Sequence, residues 1–252
     1  IAASQFGTWD GGTHAFTGAD VCMMVGNNPV VSQYTPFGGP PPFSPYARLR
    51  AEMKKGMKVI VIDPRKTEVA NRATLHLQVN PAEDPTLLSA IINFIFKHDL
   101  YDRVFCSLHL QDLEQLKQLV APFTPEYAAA RCNIAADDLI AAAQRFAEAN
   151  RGVAVTGTGP NMAPRAILTE HLVLCLNSIC GRVNKSGERV PNPGLLQPSR
   201  PRRAEVLEAQ PAFHHGPKAR VRNLGQIIGE MPTATLNDEI LLDGEGQIKA
   251  LI

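Results

Sequence analysis

Apolar residues along this chain follow two rhythms. Unbroken runs rich in β-branched residues, DVCMMV at 20–25, KVIVID at 58–63 and GVAVT at 152–156, read as buried strands. LHLQV at 75–79 alternates and reads as a fourth. Helical spacing fills the intervals. ARLRAEMKKG at 47–56 closes on Gly56 with Lys54 and Lys55 in its last turn, where cations favour a helix C-terminus. DPTLLSAIINFIFKHD at 84–99 begins with Asp84 as N-cap and Pro85 at the first helical position, and it is apolar over most of its surface. QDLEQLKQLVAPF at 111–123 is amphipathic, as is NIAADDLIAAAQRFAEAN at 133–150, with Leu139, Ile140, Ala143, Phe146 and Ala147 on one face. APRAILTEHLVLCLNSICG at 163–181 stops at Gly181, and TEVANRA at 67–73 fits a short helix.

Residues 20–63 therefore read strand, loop, helix, strand, the crossover unit of a parallel sheet. The repeated alternation predicts an α/β fold: a three-layer α/β/α arrangement with a mostly parallel sheet and Rossmann-like nucleotide-binding topology, over residues 1–184. GNNPVVSQ at 26–33 and the run YTPFGGPPPFSPY at 34–46 read as turn and loop. Residues 185–217, rich in Pro and Arg without periodicity, form an extended connection. Residues 218–252 start a further α/β segment, with a helix at TATLNDEILL and a strand at IKALI. A strand at the last residue, and a first residue that is not Met, suggest an internal piece of a longer subunit.

Composition narrows the function. The net charge of +1 gives no electrostatic case for nucleic acid, and no apolar run is long enough to span a membrane, so neither nucleic-acid nor membrane contact is expected. Five cysteines without a C-x-x-C pair signal neither a disulfide framework nor a metal or iron–sulfur site, and buried thiols suit a reducing, cytoplasmic compartment. The histidines show no ligand spacing, and His14, after a Gly pair, reads as a loop residue. No catalytic and no metal-ligating residue is assigned.

Ligands of open α/β sheets sit beyond the carboxyl ends of the strands. Three such ends carry candidates. Gly26-Asn27-Asn28-Pro29 lacks a G-x-G-x-x-G fingerprint, yet its amides and the side chains of Asn27, Asn28 and Ser32 suit a phosphate. Asp63-Pro64-Arg65 ends a strand on an acid that can accept from a ribose or a guanine edge, and on a guanidinium that can stack on a base or pair with a phosphate. Gly157, Thr158, Gly159 and Met162 form a glycine turn that suits a pocket wall. On local grounds each also reads as an ordinary turn, and Asp84 as a simple cap.

Taken in order, ADVCMMVGNNPVVS, GMKVIVIDPRKTEVANRATLHLQVNPAEDPTLL, LYD, FTPEYAAARCNIAADDLIAAAQRFA, GTGPNM and TEHLVLCLNSICGRVNKSG resemble the molybdopterin oxidoreductase family, the dimethyl-sulfoxide-reductase and formate-dehydrogenase type. The resemblance covers about Asp20 to Gly187. It implies a segment that binds molybdopterin guanine dinucleotide carrying molybdenum, with a 4Fe-4S cluster elsewhere in the full chain. Gly26, Asn28, Pro29 and Ser32 would lie against the diphosphate and pterin, Asp63 and Arg65 at the guanosine, Asp84 at the guanine N–H edge, and Gly157, Thr158, Gly159 and Met162 toward the pterin. The remaining domains of the same subunit and electron-transfer subunits are the implied partners, and the segment alone is expected to be inactive. The alternative is a non-catalytic structural subunit of a respiratory dehydrogenase with the same fold. One departure stands out: Ala82-Glu83-Asp84 replaces the Gly-x-Asp turn usual in the family, a change that would move the guanine contact.

Overall fold

The computed structural model describes residues 8–10, 14, 17–32, 45–190, 202–203, 205–207, 213–227 and 230–251. The chain divides into two compact units, the larger covering Trp9–Val206 and the smaller built chiefly from Leu207–Ile252. The long Pro/Gly loop expected around 34–46 lies mostly outside the described residues.

The larger unit is organised by a four-stranded parallel sheet of β1 (Val21–Val25), β2 (Lys58–Ile62), β3 (Leu75–Leu77) and β4 (Gly152–Thr156), in the order β3-β2-β1-β4. Val25 pairs with Ile62 on one side and Thr156 on the other. The run of apolar residues in β1 and β2 is explained by burial on both faces. Cys22, Met24, Val59, Val61 and Val153 pack with Leu49 and Met57 on one face. Met23, Ile60 and Ile62, pointing the other way, are fully buried too. Helices supply the cover: α1 (Pro29–Ser32), α2 (Pro45–Lys54), α3 (Asp84–Lys97), α4 (Arg103–His109), α5 (Leu113–Val120), α6 (Pro125–Cys132), α7 (Ala136–Glu148), α8 (Thr158–Met162) and α9 (Ala166–Ile179). Within α3, Leu87, Leu88, Ile91, Ile92 and Ile95 are wholly buried, each worth about 1.5–3 kcal/mol of apolar burial.

The edges of the sheet are managed differently. β3 is only three residues long, which blunts that edge. On β4 the open edge meets Asn177 of α9. Its Oδ1 accepts from Ala154 N at 2.9 Å, and its Nδ2 donates to the carbonyls of Ala154 at 2.9 Å and Val173 at 3.0 Å. A buried amide thus takes the place of a fifth strand at that point.

Local structure departs from expectation in several places. Pro29–Ser32 and Thr158–Met162, both expected as turns, are short helices. In the first, Val31 N and Ser32 N fold back onto Asn28 O, and Pro29 is already set to a helical φ. The N-cap of α3 is Glu83, with Asp84 as the first helical residue. Helices α4 and α6 were not anticipated, although both carry N-caps: Asp102 accepts from Phe105 N and Thr124 from Tyr127 N. The stretch 67–73 makes only a 3-10 turn at Ala70–Arg72.

In the smaller unit, β5 (Phe213–Lys218) pairs antiparallel with β6 (Gly225–Ile227), and α10 spans Leu236–Leu241. Glu239 of α10 is buried and accepts from Arg220 Nε and Val221 N. The strand expected at 248–252 is absent over 248–251; Ile248 N is spent on Glu239 O at the helix instead of on a neighbouring strand. No helix among the described residues is long and apolar enough to cross a membrane.

Replacing Asn177 by leucine keeps the volume but strands the N–H and C=O of Ala154. The expected loss is about 2–6 kcal/mol, from two unpaired buried groups at about 1–3 kcal/mol each. Urea unfolding of the variant beside the wild type measures it.

Candidate functional site

The strand order reverses at β1. β2 and β3 follow on one side of it, and β4 lies on the other, so the turns leaving β1 and β4 diverge. A cleft of about 600 Å³ opens there. It is lined from three strand ends: Gly26, Asn27, Asn28, Val31 and Ser32 after β1, Arg65 after β2, and Thr156, Gly157, Thr158, Asn161 and Met162 at the end of β4.

Backbone builds the floor. Gly26 N donates to Ile62 O at 2.8 Å and Gly157 N to Val25 O at 2.9 Å, extending the ladder one step past the strands. Gly26 adopts φ +56°, and a Cβ there would sit 2.8 Å from Pro160 Cγ, with Pro160 Cδ nearer still. A Cβ on Gly157 would come within 2.8 Å of Asn27 Cα and press on the carbonyl oxygen of Gly26. Both glycines are therefore required by close approach. Asn27 Nδ2 donates to Thr156 O at 3.0 Å and locks the two turns together.

Of the residues singled out from sequence, Gly26, Asn28, Ser32, Arg65, Gly157, Thr158 and Met162 line the cleft, whereas Pro29, Gly159, Asp63 and Asp84 do not. Asn27, named only as a donor to phosphate, is instead a strut. Val31, Thr156 and Asn161 line the cleft without having been foreseen. Val31 and Met162 are large exposed apolar residues, a signal visible only once both turns were known to be helical. The side chain of Asn28 gives its Nδ2 to Glu68, and its buried Oδ1 has no partner among the described residues. His14 takes no part: it is buried, with its N–H on Arg182 O. Burial first, then the Arg151 charge, pushes its pKa down to about 4, so the ring is neutral.

The two acids lie beside the cleft, at the neighbouring strand ends. Asp63 accepts from Arg65 N at 2.8 Å through Oδ1, an Asx turn that fixes Arg65. Asp84 is 8 % exposed. Desolvation raises its pKa, and the charges of Asp63 and then Glu83 add to the rise, so the two aspartates sense one another. The neighbouring Glu83 is treated in the opposite way. Arg131, at 2.5 Å, and the Thr86 hydroxyl both bond its carboxylate, and its pKa falls, chiefly through the bond from Arg131. The turn ahead of these acids holds Ala82 at φ +68°. The conformation a glycine would adopt is thus preserved with a side chain in place. Among the described residues no three His, Cys, Asp or Glu side chains converge as a metal ion requires.

Residues 5–232 match the family model of the molybdopterin oxidoreductases. The chain belongs to that family. The chain is 32 % identical over 143 residues to the F420-dependent formate dehydrogenase subunit alpha of Methanocaldococcus jannaschii, covering 57 % of this chain and 21 % of that protein. It is 33 % identical over 144 residues to the nitrate reductase of a Synechocystis species, covering 56 % and 20 %. The chain thus spans about a fifth of the length of these relatives. Acetylene hydratase from Pelobacter acetylenicus shares the fold, with a TM-score of 0.62 and 22 % identity over 75 % of this chain and 26 % of the other.

Three expectations follow. Ala82→Gly relieves the left-handed strain and stabilises the chain by about 0.5–1 kcal/mol, the cost of that conformation for an L-residue less the extra entropy of glycine. Its measure is the shift in the thermal or urea midpoint. Gly157→Ala forces the two turns apart, costs about 1–3 kcal/mol and closes or distorts the cleft. Gly159→Ala meets only ordinary contacts beyond 3.6 Å, the nearest at 3.7 Å, and changes stability by less than about 0.5 kcal/mol.

Proposed function

We propose that this chain holds a molybdopterin guanine dinucleotide at the carboxyl end of its sheet, as part of a molybdenum-dependent oxidoreductase. The observation that carries the reading is the cleft at the point where the strand order reverses. The order β3-β2-β1-β4 is the order with which doubly wound nucleotide-binding sheets begin, and ligands of such sheets occupy the crevice where the order reverses, which supports the reading.

The residues present fit such a group. Gly26 and Gly157 let the two turns pack closely enough to form the floor on which a diphosphate would lie. Arg65, with 65 % of its side chain exposed, offers a fixed fork to a phosphate or a flat cation to a base. Val31 and Met162 offer apolar surface to a ring system. Asp63 and Asp84, paired electrostatically at adjacent strand ends, would accept from the N1–H and N2–H of guanine, donors that adenine lacks. When bound, the group supplies a redox metal centre for oxygen-atom transfer or for electron and proton transfer. The protein's part is to bind, orient and exclude water.

A desolvated carboxylate is costly until a ligand's N–H groups meet it. Because the folded pKa of Asp84 lies above its unfolded value, the folded state binds more protons just above the ordinary carboxylate pKa. The penalty from Asp84 is then absent below the ordinary carboxylate pKa, grows as pH rises through the folded pKa, and persists at neutral pH. Asp84→Asn removes that penalty while spoiling the guanine contact. Calorimetry on the cofactor-free protein at its full natural length is expected to show GDP binding at least about tenfold more tightly than ADP, since a buried acceptor left without the guanine N–H groups costs about 1–3 kcal/mol. In Asp84→Asn the preference falls while the neutral-pH urea midpoint rises. Equal affinity for GDP and ADP would remove the guanine assignment.

A further inference from the structure

Three side chains at the mouth of the cleft are tied together without any ligand. Glu68 follows Arg65 by one turn on the connection from β2 to β3. Its Oε2 accepts from Asn28 Nδ2 at 2.6 Å and lies 3.6 Å from Arg65 Nη2. Asn28 leaves β1 and Arg65 leaves β2, so one carboxylate oxygen bridges two of the three strand ends that line the cleft. The bond also fixes the amide of Asn28, since the reversed orientation would set its carbonyl oxygen against a carboxylate. One of the two N–H groups on Asn28 Nδ2 is thereby engaged.

An amide N–H and a guanidinium fork suit phosphate oxygens as they suit a carboxylate. A phosphate that took the same N–H groups would have to displace Glu68, and the two anions repel. Glu68 is charged throughout the neutral range: its own backbone N–H, then the Asn28 amide, hold its carboxyl below the usual value. The side chain is 46 % exposed, so it can leave without disturbing the core.

We infer that Glu68 is an internal stand-in for the anionic group of the ligand. It occupies the donors that a diphosphate takes, keeps Asn28 and Arg65 ordered while the cleft is empty, and is expelled when the diphosphate arrives. This rests on the reading of the cleft as a diphosphate site and adds a residue that lowers affinity there. An exposed carboxylate paired with a guanidinium is a weak competitor, so the effect is a modest factor in affinity.

The test is titration of the cofactor-free, full-length protein with inorganic pyrophosphate and with GDP, for wild type, Glu68→Gln, Glu68→Ala and Glu126→Gln. Glu126 is an exposed acid on α6 outside this cluster. Glu68→Ala is expected to bind pyrophosphate about three- to tenfold more tightly, Glu68→Gln to fall between it and wild type, and Glu126→Gln to match wild type. In the wild type, the side-chain amide resonance of Asn28 should move as pyrophosphate binds. Unchanged or weaker binding in folded Glu68→Gln overturns the inference and makes Glu68 a strut for the site. Equal tightening in Glu126→Gln overturns it in favour of net charge. Wild type and every variant failing to bind either probe overturns the diphosphate reading itself, and the inference with it.

Discussion

The carboxyl end of the sheet depends on how closely two turns can approach. β1 and β4 are neighbours in space but far apart in the chain, and the turns that leave them touch through backbone. The carbonyl oxygen of Gly26 lies where a Cβ of Gly157 would be, and Pro160 lies where a Cβ of Gly26 would be. The Asn27 side chain then ties one turn to the other. Any side chain at these two positions would wedge the turns apart and lift the floor of the cleft. The arrangement presents peptide groups where most proteins present side chains. The N–H groups of both glycines are spent on the neighbouring strands, so the constraint sets the shape of the floor, and the side chains around it set the chemistry of what can lie there.

The opposite end of the sheet is sealed by a different device. Arg182 is buried and donates to the carbonyls of Phe146, Ala147 and Asn150, at 2.9 Å each, at the end of α7. These are the carbonyls that a helix terminus leaves unpaired. Desolvation lowers its pKa, but a guanidinium starts so high that it stays charged. Next to it Asp20 accepts from Arg151 N, and Asp20 N donates back to Arg151 O, clasping the starts of β1 and β4. With the amino end fastened by charged groups and the β4 edge covered by Asn177, the carboxyl end is the face of the sheet left open to a ligand.

Much of this was legible in the chain, for reasons that differ by element. β1, β2 and β4 could be read because burial on both faces demands unbroken apolar runs, and α3 because a buried helix shows the same demand at helical length. The cleft residues contributed by strand ends followed from the rule that places ligands there: Arg65, Gly26 and Gly157 needed no more than the end of a strand. What could not be read was the order of the strands, which fixes which ends are adjacent. Without it, nothing showed that the cleft opens between β1 and β4, with Asp63 following β2 and Asp84 at the start of α3. The short helices at Pro29–Ser32 and Thr158–Met162 were hidden by their Gly, Asn and Pro content, the composition of turns. Only that helical turn turns Val31 and Met162 toward the cleft. Glu68 was invisible because its partner Asn28 comes from another strand end.

Ala82 and its neighbours show how far a departure from a family pattern can be trusted as a structural signal. Losing glycine at a left-handed position argues for a rearranged turn, yet Ala82 keeps that conformation at φ +68°. A side chain can be held there only if the surroundings over-determine it. They do: Glu83 is anchored by Arg131 and Thr86, and Glu83 N is bonded to Asn80 O, itself adjacent to a residue packed in the core. The turn is thus fixed from its far side, and Asp84 is delivered to a desolvated position next to a paired glutamate. Adjacent acids in opposite environments are a way to keep one carboxylate satisfied and the other in need of a partner. The strain at Ala82 and the buried charge of Asp84 are both costs to stability, set side by side at one strand end.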